Sequence, residues 1–206
     1  MRIDRAATPF VAAFLIPSLL FFVVGYRTPG VLLLAVAAFM LFFFRDPDRQ
    51  VPASHHVVVA PADGRVMAAG SADPGSAPPG SWQQITIFLS PMDVHINRMP
   101  VSGVITRVEY VPGTFLPAYK PNSSLNERTE LWIDHGGQTI VVRQVVGVLA
   151  RRVVCRAKQG DRVQAGERFG LMKFGSRMDV FLPPTARLFV RSGERVRGGE
   201  TVLAEL

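Results

Sequence analysis

Charge is missing from two consecutive stretches near the start of the chain, Ala6 to Tyr26 and Thr28 to Phe44, with only Arg27 between them. Neither has a polar face, so each predicts a helix that is apolar all round, the pattern of a membrane element. The first run is long enough to span a bilayer, whereas the second, 17 residues at ~1.5 Å each, falls short of ~30 Å of hydrocarbon. Two spans and a shallow hairpin in one leaflet are both compatible with these lengths. Thr28-Pro29-Gly30 predicts the turn between the helices, and Pro9 and Pro17 predict bends in the first. Arg2 and Arg5 before the pair, with Arg45 and Arg49 after it, place both ends on the cytoplasmic side. Phe42-Phe43-Phe44-Arg45-Asp46-Pro47 lacks a small-residue cleavage site, so the segment predicts a retained anchor and not a signal peptide.

Beyond Pro52 the pattern changes to short β-branched runs: Val57 to Ala60, Ile85 to Leu89, Leu131 to Ile133, Thr139 to Val142 and Gln144 to Val148. Gly and Pro clusters such as Asp73 to Gly80 separate them, and no long helical period recurs, so a mainly β barrel or sandwich is expected. The domain organisation is then a membrane-associating helical hairpin over 1–49 and a β domain over 50–206. Within the β domain Gly160 to Phe169 recurs as Gly193 to Val202, an offset of 33 residues. Such paired Gly-x-x-Val-x-x-Gly-x-x-apolar units resemble the halves of a lipoyl or biotinyl carrier domain, a flattened barrel of interlocked hairpins. Lys173, in Leu171-Met172-Lys173-Phe174 between the units, stands where such a domain carries its modified lysine.

Composition narrows the partners. Of 206 residues 48% are hydrophobic and 19% charged, which excludes a disordered chain. The single cysteine, Cys155, excludes an internal disulfide, and no Cys/His spacing forms a metal site, so no metal is assigned and any metal would need oxygen ligands. The net charge is +7, and twelve of the 23 basic residues fall between Arg151 and Arg197. That excess suits an anionic membrane. Few aromatics interleave with the basic positions and no recognition helix is evident, so no nucleic-acid partner is expected.

Three segments carry candidate chemistry: Ala60-Pro61-Ala62-Asp63-Gly64-Arg65-Val66, the run from Leu89 to Gly103 containing Asp93-Val94-His95-Ile96-Asn97-Arg98-Met99-Pro100, and Phe174-Gly175-Ser176-Arg177-Met178-Asp179-Val180. Alone, Asp63 is an ordinary turn aspartate, His95 a strand-end histidine and Ser176 a loop serine. His55 and His56 read as solvated loop residues and His135 as part of a hairpin turn. In order and spacing, with Tyr110-Val111-Pro112-Gly113, Asn126-Glu127-Arg128 and an apolar leader, the segments resemble phosphatidylserine decarboxylase of the short bacterial and archaeal type.

The resemblance implies a self-processing precursor. The Gly175–Ser176 bond would be cut into a β chain of residues 1–175 and an α chain of residues 176–206 that stay together as a heterodimer. Ser176 would become a pyruvoyl cofactor. Glycine leaves the scissile carbonyl open to approach, and the serine hydroxyl attacks it once a base takes its proton. The family match carries over Ser176, His95 and Asp63 as catalytic, with Asp63 orienting the base and His95 protonating the product carbanion. Phosphatidylserine would be the substrate and phosphatidylethanolamine the product, at the cytoplasmic face of the cell membrane. Long-type relatives have a second histidine where this chain has Arg98. The alternative is a membrane-tethered carrier or adaptor modified on Lys173.

Overall fold

The chain divides after Asp48 into two units, and the computed structural model describes residues 2–118, 125–147, 153–173 and 176–206. In the first unit β1 (Arg2–Ile3) and β2 (Arg45–Asp46) pair antiparallel, holding together the two ends of a helical hairpin. Asp4 caps the entry by accepting the Ala6 N–H at 2.9 Å, and a 3₁₀ turn leads into α1 (Thr8–Val23). Pro9 falls in the first turn of α1, where its missing N–H has no helical partner, so it opens the helix instead of bending it.

The expected turn at Thr28-Pro29-Gly30 is not where the chain reverses. Those residues form the first turn of α2 (Arg27–Phe43), and reversal occurs over Val24–Tyr26, where Gly25 takes φ +86°. Proline is as well tolerated at a helix start as in a turn, which is why the tripeptide misleads. Gly30 serves packing instead: a Cβ there would stand 3.0 Å from the Phe22 ring, and its carbonyl accepts the buried Ser18 hydroxyl at 2.7 Å. The apolar helical segment Arg5–Val23 is long enough to cross a membrane, whereas Arg27–Phe43 is shorter.

The second unit is mainly β. Its large sheet has the order β11 (Arg162–Val163), β7 (Gly103–Val111), β8 (Arg128–His135), β9 (Gln138–Val145), β13 (Ser176–Leu182), β5 (Gln83–Leu89), β4 (Gly64–Ser71) and β15 (Arg195–Val196). Two three-stranded sheets accompany it, β10 (Val153–Cys155) with β12 (Arg168–Met172) and β6 (Ile96–Arg98), and β14 (Arg187–Leu188) with β16 (Val202–Glu205) and β3 (Val57–Val59). Alternate residues of the large sheet, among them Ile85, Ile87, Leu89, Leu131, Ile133, Val142, Met178 and Val180, form one buried core with Val58, Met99, Phe169, Met172 and Leu203. The runs Thr139–Val142 and Gln144–Val148 are one strand as far as Val145, because Arg143 between them is buried and paired and does not break it. Val148 lies outside the described residues.

The 33-residue repeat organises this unit. Each copy gives a two-residue strand to one edge of the large sheet, β11 or β15, and then a longer strand to a small sheet, β12 or β16. Their partners are repeated too: β3 leads through Ala60–Asp63 into β4 as β6 leads through Met99–Ser102 into β7. A Cβ on Gly64 would lie 2.3 Å from the Phe88 carbonyl oxygen and one on Gly103 2.3 Å from that of Asp134, so each corner requires glycine.

Candidate active site

Ser176 opens β13, a strand paired on both sides, with β5 (Ser176 opposite Leu89) and with β9 (Arg177 opposite Val145). Side chains alternate along a strand, so Ser176 shares the interior face with Met178 and Val180. It is fully buried, and its hydroxyl has no hydrogen-bond partner among the described residues. A buried hydroxyl without a partner costs stability, so such a group calls for an explanation, of which a catalytic role is one. Gly175, the other half of the expected cleavage site, lies outside the described residues.

His95 stands just before β6 and is 1% exposed. Its carbonyl accepts the Met172 N–H at the end of β12. From Met172 the chain needs only four residues to reach Ser176, which bounds their separation at about 14 Å. The His95 Nδ1 lies 3.0 Å from the Asp93 carbonyl oxygen. A carbonyl only accepts, so in the neutral ring Nδ1 carries the proton and Nε2 is the basic nitrogen.

Asp63 accepts two bonds from Arg49 Nη2, at 2.9 and 2.8 Å, and one from the Gly198 N–H at 2.8 Å. Its repeat counterpart Ser102 likewise accepts the N–H of Ala165, the counterpart of Gly198, at 3.0 Å. What sets Asp63 apart is the ion pair with Arg49, whose side chain is 7% exposed and also meets Glu200 at 3.3 Å. Among the described residues the Asp63 carboxylate bonds to these groups and not to His95. The 60–63 corner nevertheless borders the histidine's strand, since Pro61 accepts the Arg98 N–H at 2.8 Å. Arg98 itself donates to the Gly166 carbonyl at 3.1 Å.

Two buried residues that sequence reasoning passed over complete this interior. Gln144 Nε2 on β9 donates to Asn97 Oδ1 on β6 at 2.7 Å, joining the small sheet beside His95 to the large sheet that carries Ser176. Both side chains are fully buried, and Asn97 Nδ2 and Gln144 Oε1 have no partner among the described residues. Gly170, opposite Asn97, packs closely here: a Cβ there would lie 2.2 Å from the Val154 carbonyl oxygen and 3.0 Å from Gln144 Nε2. Asn126 pins the end of β9 by donating to the Val146 and Leu116 carbonyls at 2.8 and 2.7 Å.

The opposite face of β13 carries an ionic row. Arg177 donates to Asp179 at 2.9 Å, Thr86 donates to Asp179 at 2.9 Å, and Glu130 accepts from Arg128 at 2.8 Å and forms an ion pair with Arg143 at 2.9 Å. Burial pushes the Arg143 guanidinium below its ordinary value, an effect opposed by Glu130 and Asp179. Lys173, the expected carrier lysine, is half-buried just beyond β12. A modified lysine must swing in solvent, and this position does not favour that alternative.

The chain resembles known proteins over most of its length. The phosphatidylserine decarboxylase family model matches residues 36–204. The chain is 43% identical to the phosphatidylserine decarboxylase proenzyme of Symbiobacterium thermophilum over 99% of this chain and 95% of that relative. It is 45% identical to that of Gluconobacter oxydans over 98% and 93%, and 47% identical to that of Gluconacetobacter diazotrophicus over 82% and 77%. With a family match that spans the β unit and relatives this similar over nearly the whole chain, the chain belongs to the phosphatidylserine decarboxylase family.

Proposed function

We propose that this chain is a self-processing precursor that cuts its Gly175–Ser176 bond, turns Ser176 into a pyruvoyl group and decarboxylates phosphatidylserine to phosphatidylethanolamine and CO2 at the cytoplasmic face of the membrane. The observation that carries the reading is the Ser176 hydroxyl, fully buried and without a partner among the described residues at the first position of a doubly paired strand. His95 Nε2 takes the Ser176 Oγ proton, Oγ attacks the Gly175 carbonyl carbon, and the peptide nitrogen leaves as an amine, so the amide becomes an ester. Removal of the Ser176 Cα proton then expels the Gly175 carboxylate. The resulting enamine at the new terminus tautomerises and hydrolyses, releasing ammonia and leaving the pyruvoyl ketone.

The pyruvoyl group supplies an electrophilic carbonyl that takes the substrate amine and draws off the electron pair left by departing CO2. His95 returns a proton to the substrate carbon. Asp63, held by Arg49 and Gly198, acts as a positioning residue that fixes the 60–63 corner against the strand following His95. After the cut β13 remains between β5 and β9, and β15 and β16 remain paired with β4 and β3, which supports lasting association of the two chains. The apolar hairpin inserts in the membrane, and the basic C-terminal region is drawn to anionic lipid.

The test is CO2 release from phosphatidylserine in mixed micelles by the full-length protein. Wild type turns over, Ser176→Ala gives none, and His95→Ala gives none even where it is cut. Turnover by Ser176→Ala would sink the proposal.

A further inference from the structure

The self-cut places a negative charge on the Gly175 carbonyl oxygen as the tetrahedral species forms, and nothing in the assignment of Ser176, His95 and Asp63 stabilises it. A buried N–H donor held in place beforehand is the usual means. The interior described above holds three polar atoms without partners among the described residues: Ser176 Oγ, Asn97 Nδ2 and Gln144 Oε1, all on fully buried side chains. Gln144 lies directly opposite Met178, two positions along the strand from Ser176. Such diagonal neighbours on one face are about 7–8 Å apart at the backbone, within reach of long side chains. Asn97 lies two positions beyond His95, and Met172, where the chain departs toward Ser176, bonds to the His95 carbonyl.

We propose that Asn97 is a catalytic residue of the self-cut, its Nδ2 donating to the Gly175 carbonyl oxygen while Ser176 attacks, and that Gln144 holds the Asn97 amide in the donating orientation. The inference rests on the self-processing reading above. Gln144 Nε2 occupies Asn97 Oδ1 at 2.7 Å, which fixes the nitrogen of Asn97 as the end left over. The Gln144 amide reaches Asn97 across the bare backbone of Gly170, which the nearby Val154 carbonyl keeps free of a side chain. Two adjoining buried amides, each with an unused polar atom, would be a poor way merely to join two sheets, since an apolar contact would join them without stranded groups.

Asn97→Asp isolates the donor. It keeps the size of the side chain and the oxygen that accepts from Gln144, but replaces the free N–H2 with an oxygen that repels the developing charge. In full-length protein made by cell-free synthesis with lipid vesicles, the two chains should appear about 100-fold or more slowly than in wild type, the usual effect of losing one such donor. Hydroxylamine, which opens esters, should not restore them, because the slowed step precedes the ester. Asn97→Ser, which keeps a donor, should be cut faster than Asn97→Ala, and this pair decides the matter if Asn97→Asp does not fold. Wild-type cutting in Asn97→Asp, its release by hydroxylamine at the wild-type rate, or equal rates for Ser and Ala would overturn the assignment. Wild-type protein that itself stays uncut at Gly175–Ser176 would overturn the self-processing reading, and this inference with it.

Discussion

Replacing Asp63 by Asn asks whether this carboxylate acts by holding a corner of the fold. The Ser176→Ala background keeps every molecule uncut, so stability can be compared directly in detergent micelles. Asp63 takes two bonds from Arg49 and one from Gly198. Asparagine keeps one acceptor, turns an NH2 toward the guanidinium and removes the charge. Breaking a buried pair costs about 3–5 kcal/mol. Asp63 is 18% exposed and Glu200 remains 3.3 Å from Arg49, so the loss is reduced to about 2–3 kcal/mol, because water and the second carboxylate take up part of the charge. In a chain of this size that lowers Tm by roughly 5–10 °C. Arg49→Met should destabilise as well, and the double variant should lose at least about 1 kcal/mol less than the sum of the singles. Strict additivity would refute the claim that the pair holds the corner. With Ser176 restored, Arg49→Met should slow self-cutting as Asp63→Asn does; normal cutting in Arg49→Met would instead assign Asp63 a direct charge effect on the chemistry.

Burial raises the Cys155 thiol above its ordinary value. The thiolate fraction at neutral pH is therefore lower than that of a free thiol, and iodoacetamide should label Cys155 slowly, faster only as pH rises past the ordinary thiol range; rapid labelling at pH 7 would contradict the burial. Asp179→Asn leaves Arg177 without its carboxylate beside the buried Arg143 and should cost about 3–5 kcal/mol, measured by denaturation in the Ser176→Ala background. Deleting residues 2–44 should leave self-cutting intact while lowering activity on vesicles more than on a short-chain soluble analogue. Undiminished vesicle activity at low and high salt would show that the hairpin has another purpose.

The β-branched runs disclosed β3, β5, β8 and β9, since half-buried sheet positions favour those side chains, while the two-residue strands are too short to leave such a run. The repeat at Gly160 and Gly193 was visible because glycine and valine recur at fixed spacing. Its partners, Ala60–Gly64 and Met99–Gly103, share only a proline and a glycine, so their equivalence is evident only from where they pair. Thr28-Pro29-Gly30 misled because proline suits both turns and helix starts. Asn97 and Gln144 are 47 positions apart, and only the register of two sheets brings them together. Arg143-Gln144 within a run of valines was the available signal, a polar pair where burial would favour none. The Asp63–Arg49 pair was hidden because Arg49 reads as a membrane-flanking charge.

The central claim is that Ser176 becomes the blocked first residue of a separate chain. Intact-mass spectrometry of purified wild-type protein should find two chains, residues 1–175 and a chain from 176 to 206 whose terminus carries a pyruvoyl group in place of serine, while Ser176→Ala gives one. An active wild-type chain with an intact Gly175–Ser176 bond, or with added mass on Lys173, would contradict the account.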